Sequence, residues 1–163
     1  MARQVKVITA AEAAALIKNG DTVTTSGFVA SAIPEALDRA VEERFLATGE
    51  PRDITYVYCG SQGNKDGRGA EHFAHEGLLK RYIAGHWATV PALQKMALEN
   101  KMEAYNVSQG ALCHLFRDIA AHRPGCFTKV GLGTFIDPRN GGGKVNDVTK
   151  EDIIELVNIK GQD

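Results

Sequence analysis

The stretch Thr22–Pro34, TVTTSGFVASAIP, contains a strand, a tight turn and the start of a helix in immediate succession. Its first four residues are all β-branched, which predicts a strand buried in a sheet. Ser26 and Gly27 break this run, and Pro34 begins the helical pattern PEALDRAVEERFL, where a proline loses no hydrogen bond. The turn therefore follows the carboxyl end of a strand, which is where open α/β sheets bind ligands. We expect an acyl or phosphate group to bind there.

The alternation of strands and helices continues along the chain. After Thr22–Thr25, further strands are predicted over Ile54–Cys59, over Lys80–Trp87 with its turn, and over Glu103–Val107. Helices are predicted over Ala10–Lys18, Pro34–Leu46, His72–Leu79, Pro91–Lys101 and Ala111–His122. We therefore expect an α/β fold, an open and mostly parallel sheet with helices on both faces in a Rossmann-like layering.

Composition and charge exclude several classes of function. The 163 residues suffice for one domain with a sizeable core, and 19 basic against 20 acidic residues give a net charge of −1. This balance provides no electrostatic surface for nucleic acid or an anionic membrane. No apolar run approaches the roughly 20 residues of a membrane-spanning helix, and the first residues lack the apolar core of a signal peptide. The three cysteines are far apart and odd in number, which favours a reducing, cytoplasmic location.

The last residues predict a domain that continues. Ile153–Ile159, IIELVNI, has the pattern of a strand, and Lys160–Asp163 has the composition of a turn. A strand followed by a turn requires a second strand to pair with. We therefore expect residues 1–163 to be one domain that is incomplete at its carboxyl end and belongs to a longer polypeptide.

Two glycine-rich stretches are candidate ligand loops. Gly60–Gly69 follows a predicted strand, and Lys129–Asn146 has the sequence KVGLGTFIDPRNGGGKVN. Dense glycines let backbone N–H groups approach an anion or a carbonyl closely. The second stretch matches neither the dinucleotide fingerprint nor the phosphate-binding P-loop. For both stretches an ordinary structural loop remains the alternative.

Taken together, these segments resemble the amino-terminal lobe of the family I coenzyme A transferases, of the acetate, propionate and acetoacetate type. The family's signature, Asn/Asp-Gly…Gly-Gly-Phe…Gly-x-Pro, is followed by Asn19-Gly20, an apolar strand, Ser26-Gly27-Phe28 and Pro34. The blocks HFAHEGLLKR, SQGALCHLFRDIAA and VGLGTFIDPRNGGGKVN are similar to its middle and glycine-rich segments. Ser26 and Ala32 stand where the signature has glycine, so both departures keep a small side chain.

The resemblance implies an enzyme whose active site is built from two halves. Such enzymes move coenzyme A between an acyl-CoA and a short-chain carboxylate, through an anhydride and then a glutamyl-CoA thioester. The nucleophilic glutamate belongs to the carboxyl-terminal half, whose motif has no match here. This chain is then expected to contain no catalytic residue and to be inactive alone. The resemblance further implies a coenzyme A thioester as substrate without another cofactor, a role in short-chain fatty acid or ketone body metabolism, and a homo-oligomer when complete.

The resemblance also implies which residues of this half contact the substrates. A small-residue turn shapes the acyl pocket, a glutamine–glycine pair lines it, and two further glycines lie near the cleft. The residues concerned are Ser26, Gly27, Phe28, Gln109, Gly110, Gly131 and Gly133. Two alternatives stay open, namely that Phe28 is a core aromatic and that Gln109 belongs with Ser108 to a helix cap.

Other chemistries have weaker support. His72 and His75 are spaced for one helix face, but no third ligand of matching spacing lies near, so no metal site is predicted. A non-catalytic domain that binds a small molecule or an acyl-CoA is the alternative function within the same α/β class. A sugar-phosphate isomerase would need a carboxylate base and a phosphate-binding cluster that the sequence does not assemble.

Overall fold

A computed structural model describes residues 5–161 and has a four-stranded sheet at its centre. The strands lie side by side in chain order, and each pairs in parallel with the next. Their bounds are β1 Thr22–Val23, β2 Ile54–Tyr58, β3 Leu79–Ala84 and β4 Glu103–Asn106. Parallel neighbours require crossover connections, and helical segments supply them here.

Four α-helices surround the sheet. Their bounds are α1 Ala10–Ala14, α2 Glu35–Thr48, α3 Pro91–Leu98 and α4 Gln109–Ala120, and two short 3₁₀ helices span Ala70–Phe73 and Pro138–Asn140. α1 starts with a capping box, in which Glu12 N donates to Thr9 Oγ1 at 3.2 Å and Thr9 N donates to Glu12 Oε2 at 2.8 Å. Over residues 5–161, no helix has the length and apolar character that crossing a membrane requires.

Alternate residues of the strands build two cores, one on each face of the sheet. The larger core contains Tyr56, Tyr82 and Ala104 and is covered by α1, α2 and α3. The smaller core contains Val57 and Tyr105 and packs against α4. Helices thus cover both faces, and the predicted α/β fold with an open parallel sheet is confirmed.

β1 is an edge strand, and the prediction that it is buried is wrong. Thr22 is exposed and Val23 is half-buried, and they pair with Thr55 and Tyr56 of β2. β-branched residues suit central and edge strands alike, so composition does not separate the two. The turn that follows β1 therefore begins at an accessible edge of the sheet.

The helix predicted over residues 72–79 is wrong. Only the 3₁₀ helix Ala70–Phe73 forms, and β3 begins at Leu79, the last residue of the predicted helix. Gly77 has a positive φ of 89°, and Ile54 N donates to the Leu78 carbonyl at 3.0 Å. Pairing with β2 and burial of Leu78 outweigh the helical spacing of this stretch.

The strand predicted over residues 153–159 is also wrong, since this part of the described chain forms no strand. Its first two residues pack against the smaller core beside α4. Shortly before them in the chain, the Glu151 carbonyl accepts a hydrogen bond from Tyr105 Oη at 2.8 Å. An apolar run suits a strand and a segment that docks through its side chains equally well, so periodicity does not separate them. Residues 160–161 form a turn as predicted, while 162–163 lie outside the described residues.

Candidate active site

The carboxyl ends of the strands lie at one edge of the sheet because the strands are parallel. At this strand-end edge, residues 26–28 follow β1, Gly60 follows β2, Gly85 follows β3 and Gln109 follows β4. The structure thus places at this edge the predicted site residues Ser26, Gly27, Phe28, Gln109 and Gly110.

Gln109 is the first residue of α4, and its side chain lies beside the end of β2. A Cβ added to Gly60 would lie 3.3 Å from Gln109 Oε1, and one added to Gly85 would lie 2.8 Å from Gln109 Cα. The two glycines therefore make the space in which α4 begins. Gln109 is exposed, and no hydrogen bond joins its side chain to another residue among 5–161. Its amide is available to donate to a carbonyl oxygen of a ligand.

The start of α4 does not depend on a side-chain cap. Ser108 is the N-cap residue, but its side chain makes no capping hydrogen bond, so the alternative that assigned Gln109 to a cap loses its support. Gly110 is exposed, and a Cβ there would meet only Ser108 Oγ, at 4.0 Å. The described packing therefore does not require glycine at position 110.

The turn after β1 is closed by two backbone hydrogen bonds of 2.9 Å, from Phe28 N to Ser31 O and from Ser31 N to Phe28 O. Gly27 has a φ of 123°, and a Cβ there would lie 2.9 Å from Gln62 Nε2 and 3.1 Å from Ala32 O. Only glycine fits this position without displacing the turn. Phe28 is 58% exposed, so the alternative that it is a core aromatic is wrong.

Sequence reasoning missed Gln62, which lies fully buried beneath this turn. Its Oε1 accepts from Thr25 Oγ1 at 2.7 Å and from Tyr56 Oη at 2.5 Å, and its Nε2 donates to the Ser26 carbonyl. Burial raises the pKa of Tyr56 well above its usual value, so the hydroxyl stays protonated and able to donate. A polar residue between two glycines offers no sequence signal of these partners.

The glycine-rich stretch 129–146 is held together by its own polar groups. Asp137 is buried, and its carboxylate accepts from Gly133 N at 2.8 Å, from Arg139 N at 3.0 Å and from Arg139 Nε at 2.9 Å. The hydrogen bonds from the Arg139 side chain, followed by those from the two amides, hold the pKa of Asp137 well below its usual range. The N–H of Gly133 is therefore engaged within the chain.

Gly143 docks the same stretch onto β4. Asn106 N donates to its carbonyl at 2.8 Å, and a Cβ on Gly143 would lie 2.7 Å from the Asn106 carbonyl oxygen. The next residue, Lys144, pairs antiparallel with Tyr105. The alternative of a structural loop describes this part of the stretch.

Gly131 lies in an apolar groove of about 1320 Å³ on the face of the sheet that α4 covers. Val57 of β2, together with Leu112 and Phe116 of α4, contributes to its walls. The walls reach Ser108, so the groove adjoins the strand-end edge beside Gln109. Gly131 is thus placed in this groove, while the turn after β1 lies outside its walls.

His72 and His75 are bound by carboxylates of α2. His72 lies 2.5 Å from Glu42 Oε2 and 3.0 Å from Glu35 Oε1, and His75 lies 2.6 Å from Glu42 Oε1. Burial opposes the charge of His72, but hydrogen bonds accepted by the carboxylates of Glu35 and Glu42 raise its pKa overall. Within the part of the chain that the structure describes, no three His, Cys, Asp or Glu side chains are arranged to hold a metal ion.

Cys59 lies next to Gly60 at the end of β2, which makes its protonation relevant to the site. Burial, with an added hydrogen bond to the Cys113 side chain, raises the pKa of Cys59 to about 12. Because the thiolate is the reactive form of cysteine, Cys59 is not a nucleophile near neutral pH.

Comparison with known proteins agrees with this architecture. The family model "Coenzyme A transferase" matches residues 7–163. A caffeate CoA-transferase from Acetobacterium woodii is 40% identical over 158 residues, which make up 97% of this chain and 30% of that protein. The crystal structure of the acyl-CoA transferase YdiF apoenzyme from Escherichia coli O157:H7 matches with a TM-score of 0.88 and 38% identity, over 96% of this chain and 31% of that one. YdiF in a thioester complex with CoA matches with a TM-score of 0.87 and 37% identity, over 94% and 30%.

These matches include nearly all of this chain but only part of each relative. The chain spans about 30% of the length of the caffeate CoA-transferase and of YdiF. The family model, the sequence identity and the shared fold all agree with the resemblance carried by the signature around Ser26-Gly27-Phe28. That resemblance is confirmed, and the chain belongs to the coenzyme A transferase family.

Proposed function

We propose that this chain forms one wall of the active site of an enzyme that transfers coenzyme A from an acyl-CoA to a short-chain carboxylate. The supporting observation is the position of Gln109, an exposed amide without an internal partner in residues 5–161, at the same edge of the sheet as the 26–28 turn. The nucleophilic glutamate lies on a carboxyl-terminal half, which is either a continuation of the same polypeptide or a second subunit. This chain contributes binding and orientation.

The proposed reaction is a series of acyl transfers. The glutamate carboxylate attacks the thioester carbonyl, the C–S bond breaks, and the coenzyme A thiolate leaves behind an acyl–glutamyl anhydride. The thiolate then attacks the glutamyl carbonyl, which releases the first carboxylate and leaves a glutamyl-CoA thioester. A second carboxylate takes up coenzyme A by the reverse of these steps. Each attack places negative charge on a carbonyl oxygen, which requires a fixed hydrogen-bond donor.

Gln109 is the donor that this chain supplies. Its Nε2 donates to the carbonyl oxygen as charge develops there. Gly60 and Gly85 support this role because their missing side chains leave room for the start of α4. Gly110 follows on α4 and adds no side chain beside the amide.

The turn after β1 supplies the acyl pocket. Ser26 and Gly27 bring the backbone close, and the exposed ring of Phe28 offers an apolar wall to the acyl chain. Gly131 and Gly133 stay predicted site residues, and we assign them to the part of the cleft continuous with the apolar groove, where Gly131 lies. The engaged N–H of Gly133 gives that residue a shaping role rather than a donor role.

The lengths of the relatives support a second half. Because this chain spans 30% of the caffeate CoA-transferase, we assign residues 1–163 to an amino-terminal domain that continues beyond residue 163. The complete enzyme is a cytoplasmic homo-oligomer that acts in short-chain fatty acid or ketone body metabolism. Its coenzyme A thioester is a substrate, and no further cofactor takes part.

Exchange of coenzyme A between acetyl-CoA and propionate or butyrate tests the proposal. Residues 1–163 alone are expected to show no exchange, and joining them to the carboxyl-terminal half is expected to produce it. Mass spectrometry of the assembled enzyme with acetyl-CoA should then show coenzyme A on a glutamate of that half. Turnover by residues 1–163 alone would contradict the split site. Binding of acyl-CoA without exchange in the assembled protein would favour the non-catalytic binding domain.

A further inference from the structure

Gln62 uses both ends of its amide beneath the turn after β1. The oxygen accepts from Thr25 Oγ1 and Tyr56 Oη, and the nitrogen donates to the Ser26 carbonyl. The Thr25 and Tyr56 hydroxyls also lie 2.5 Å from each other. A buried amide whose oxygen and nitrogen both have partners is held in one orientation, because the reversed orientation would lose these bonds. Gln62 therefore fixes the Ser26 carbonyl relative to β2.

The backbone around Gln62 holds the other side of the same turn. Val29 N donates to Ser61 O at 3.0 Å, and Gly63 N donates to Val29 O at 2.9 Å. Gln62 O in turn accepts from Ala70 N at 2.9 Å. The segment that carries the buried amide is thus tied both to the turn and to the start of the next helical segment.

The turn itself is strained. Val29 has a φ of 53° and Ala32 a φ of 54°, values that are unusual for residues with a side chain and most of all for a β-branched one. Such conformations persist only where surrounding contacts enforce them. For Val29, the backbone hydrogen bonds to Ser61 and Gly63 supply that enforcement, so their loss is expected to let the turn relax to another conformation.

The segment that contains Gln62 also lies beside the Gln109 side chain at the start of α4. Gly60 lies two positions after the end of β2 and two positions before Gln62, and it faces the Gln109 side chain. Gln62 has no exposed surface, so it reaches the substrate only through what it holds in place. It connects the turn that bears Phe28 with the strand end beside Gln109.

We propose that Gln62 is a positioning residue that sets the separation between the 26–28 turn and the Gln109 amide, and thereby the range of acyl chain lengths that the enzyme accepts. This inference rests on the proposed function and deepens it, because it assigns a specificity determinant to the same site. Gln62 takes no part in bond making or breaking.

Gln62→Met in the assembled enzyme removes the three side-chain hydrogen bonds while keeping a side chain of similar length. We expect kcat/KM for the preferred acyl-CoA to fall about 50-fold, since small misplacements of substrate-positioning groups have effects of that order. The ratio of kcat/KM for acetyl-CoA to that for hexanoyl-CoA should change at least about fivefold. Hydrogen–deuterium exchange of residues 26–31 should become faster.

Ser61→Ala is the matched control. Ser61 is buried in the same segment, but its side chain bonds to Thr89 and not to the turn. Its substitution should leave the chain-length ratio and the exchange of residues 26–31 as in the wild type. If Gln62 had only a structural role, Gln62→Met would lower the melting temperature but would change neither the chain-length ratio nor the hydrogen–deuterium exchange of residues 26–31.

Tyr56→Phe keeps the test decisive if Gln62→Met does not fold. It removes one donor to Gln62 and keeps the ring packed against Phe73 and Tyr82, and it should shift the chain-length ratio in the same direction by a smaller factor. If Gln62→Met, or Tyr56→Phe in its place, leaves an active enzyme with unchanged ratios, the inference is overturned and the proposed function stands. An assembled wild type that exchanges no coenzyme A overturns the proposed function and this inference together.

Discussion

The strand-end edge of the sheet and the stretch 129–146 both contain essential glycines, but they differ in whether a polar side chain is left without a partner inside the described chain. In the stretch, the Asp137 carboxylate engages Gly133 and Arg139, and the carbonyl of Gly143 accepts from β4. At the strand-end edge, Gln109 is exposed without an internal partner in the described chain. Dense glycines therefore indicate close backbone packing, whereas an accessible and unpaired donor indicates a ligand site.

The two regions also differ in what their essential glycines avoid. A Cβ on Gly27 would meet the buried Gln62 amide that holds the turn, whereas a Cβ on Gly143 would meet the backbone of β4. The first clash changes the shape of the proposed site, and the second changes how the chain packs on its sheet. Substitutions in the two regions should therefore separate activity from stability.

Gly27→Val should have the largest effect. Its Cβ would lie 2.9 Å from Gln62 Nε2, and the φ of 123° is unfavourable for valine, so the turn must move. We expect exchange by the assembled enzyme to fall at least about 1000-fold, with folded protein still recovered. Gly67→Val is the control, because Gly67 also has a positive φ but has open space around it. Near-normal exchange by Gly27→Val would remove the turn from the site.

Gln109→Ala should lower kcat about 100-fold, the usual cost of losing one donor to a developing oxyanion. The melting temperature should not change, because the side chain is exposed and unpaired within residues 5–161. Gln94→Ala should show the opposite pattern, since Gln94 Nε2 donates to the Trp87 carbonyl at 2.7 Å. Steady-state kinetics and thermal unfolding measure both variants. If Gln109→Ala lowered the melting temperature without lowering kcat, Gln109 would have a structural role and would not be a donor to the substrate.

Gly143→Ala should act on stability. The added Cβ would lie 2.7 Å from a backbone oxygen at a φ of 76°, and we expect the free energy of unfolding to fall by about 2–3 kcal/mol. Gly49→Ala has nearly the same φ, 74°, with nothing within 4 Å, and should cost only about 1 kcal/mol. Urea denaturation measures both values. Lost activity in fully folded Gly143→Ala would place this stretch in the site after all.

Two buried carboxyl groups should give a smaller effect, a dependence of stability on pH that has opposite sign for the two groups. The side-chain carboxyl of Asp38 in α2 has no hydrogen-bond partner in the described chain, and burial raises its pKa to about 7, whereas the pKa of Asp137 is lowered. Because the folded protein holds the Asp38 proton more tightly than the unfolded chain does, stability falls as the pH rises. The contribution of Asp38 to the free energy of unfolding is full below about pH 4 and is lost as the pH rises to about 7. Asp137 has the opposite sign, because its contribution is present above about pH 4 and is lost as the pH falls.

Asp38→Asn should therefore stabilise the protein by about 1–2 kcal/mol at about pH 8 and give no gain at about pH 4. The gain is smaller than the full electrostatic cost because the new amide is also buried without a partner. Thermal unfolding across this pH range measures the effect. Parallel curves for the variant and the wild type would show that Asp38 does not titrate as described.

Much of the fold could be predicted from the sequence, because strand patterns and helix patterns alternate along it. β2 and β4 lie within the predicted ranges, and so does α3. The predicted helix over 72–79 failed because pairing with β2 outweighed local spacing. In the predicted strand over 153–159, only Ile153 and Ile154 pack against the smaller core, through their side chains. Both errors come from tertiary contacts that local periodicity does not contain.

The candidate site was predictable only in part. Gln109 follows a strand and precedes a helix, so its place at the edge of the sheet followed from the strand order, while its proposed role came from the family resemblance. Gln62 was not predictable, because its partners Ser26 and Thr25 lie 36 and 37 residues away in the chain. A polar residue between glycines is also typical of a solvated loop.

The docking of residues 143–145 on β4 has a consequence for how the sheet can grow. Asn106 N donates to Gly143 O at 2.8 Å and Val145 N donates to Ala104 O at 2.9 Å, so this segment occupies the outer side of β4. Within residues 5–161, β1 has β2 as its sole ladder neighbour. The sheet can therefore be extended at one edge, where an additional strand would pair with β1. Such a strand would lie directly beside the turn that bears Phe28, so one edge of the sheet would determine both how the protein assembles and the shape of the proposed acyl pocket.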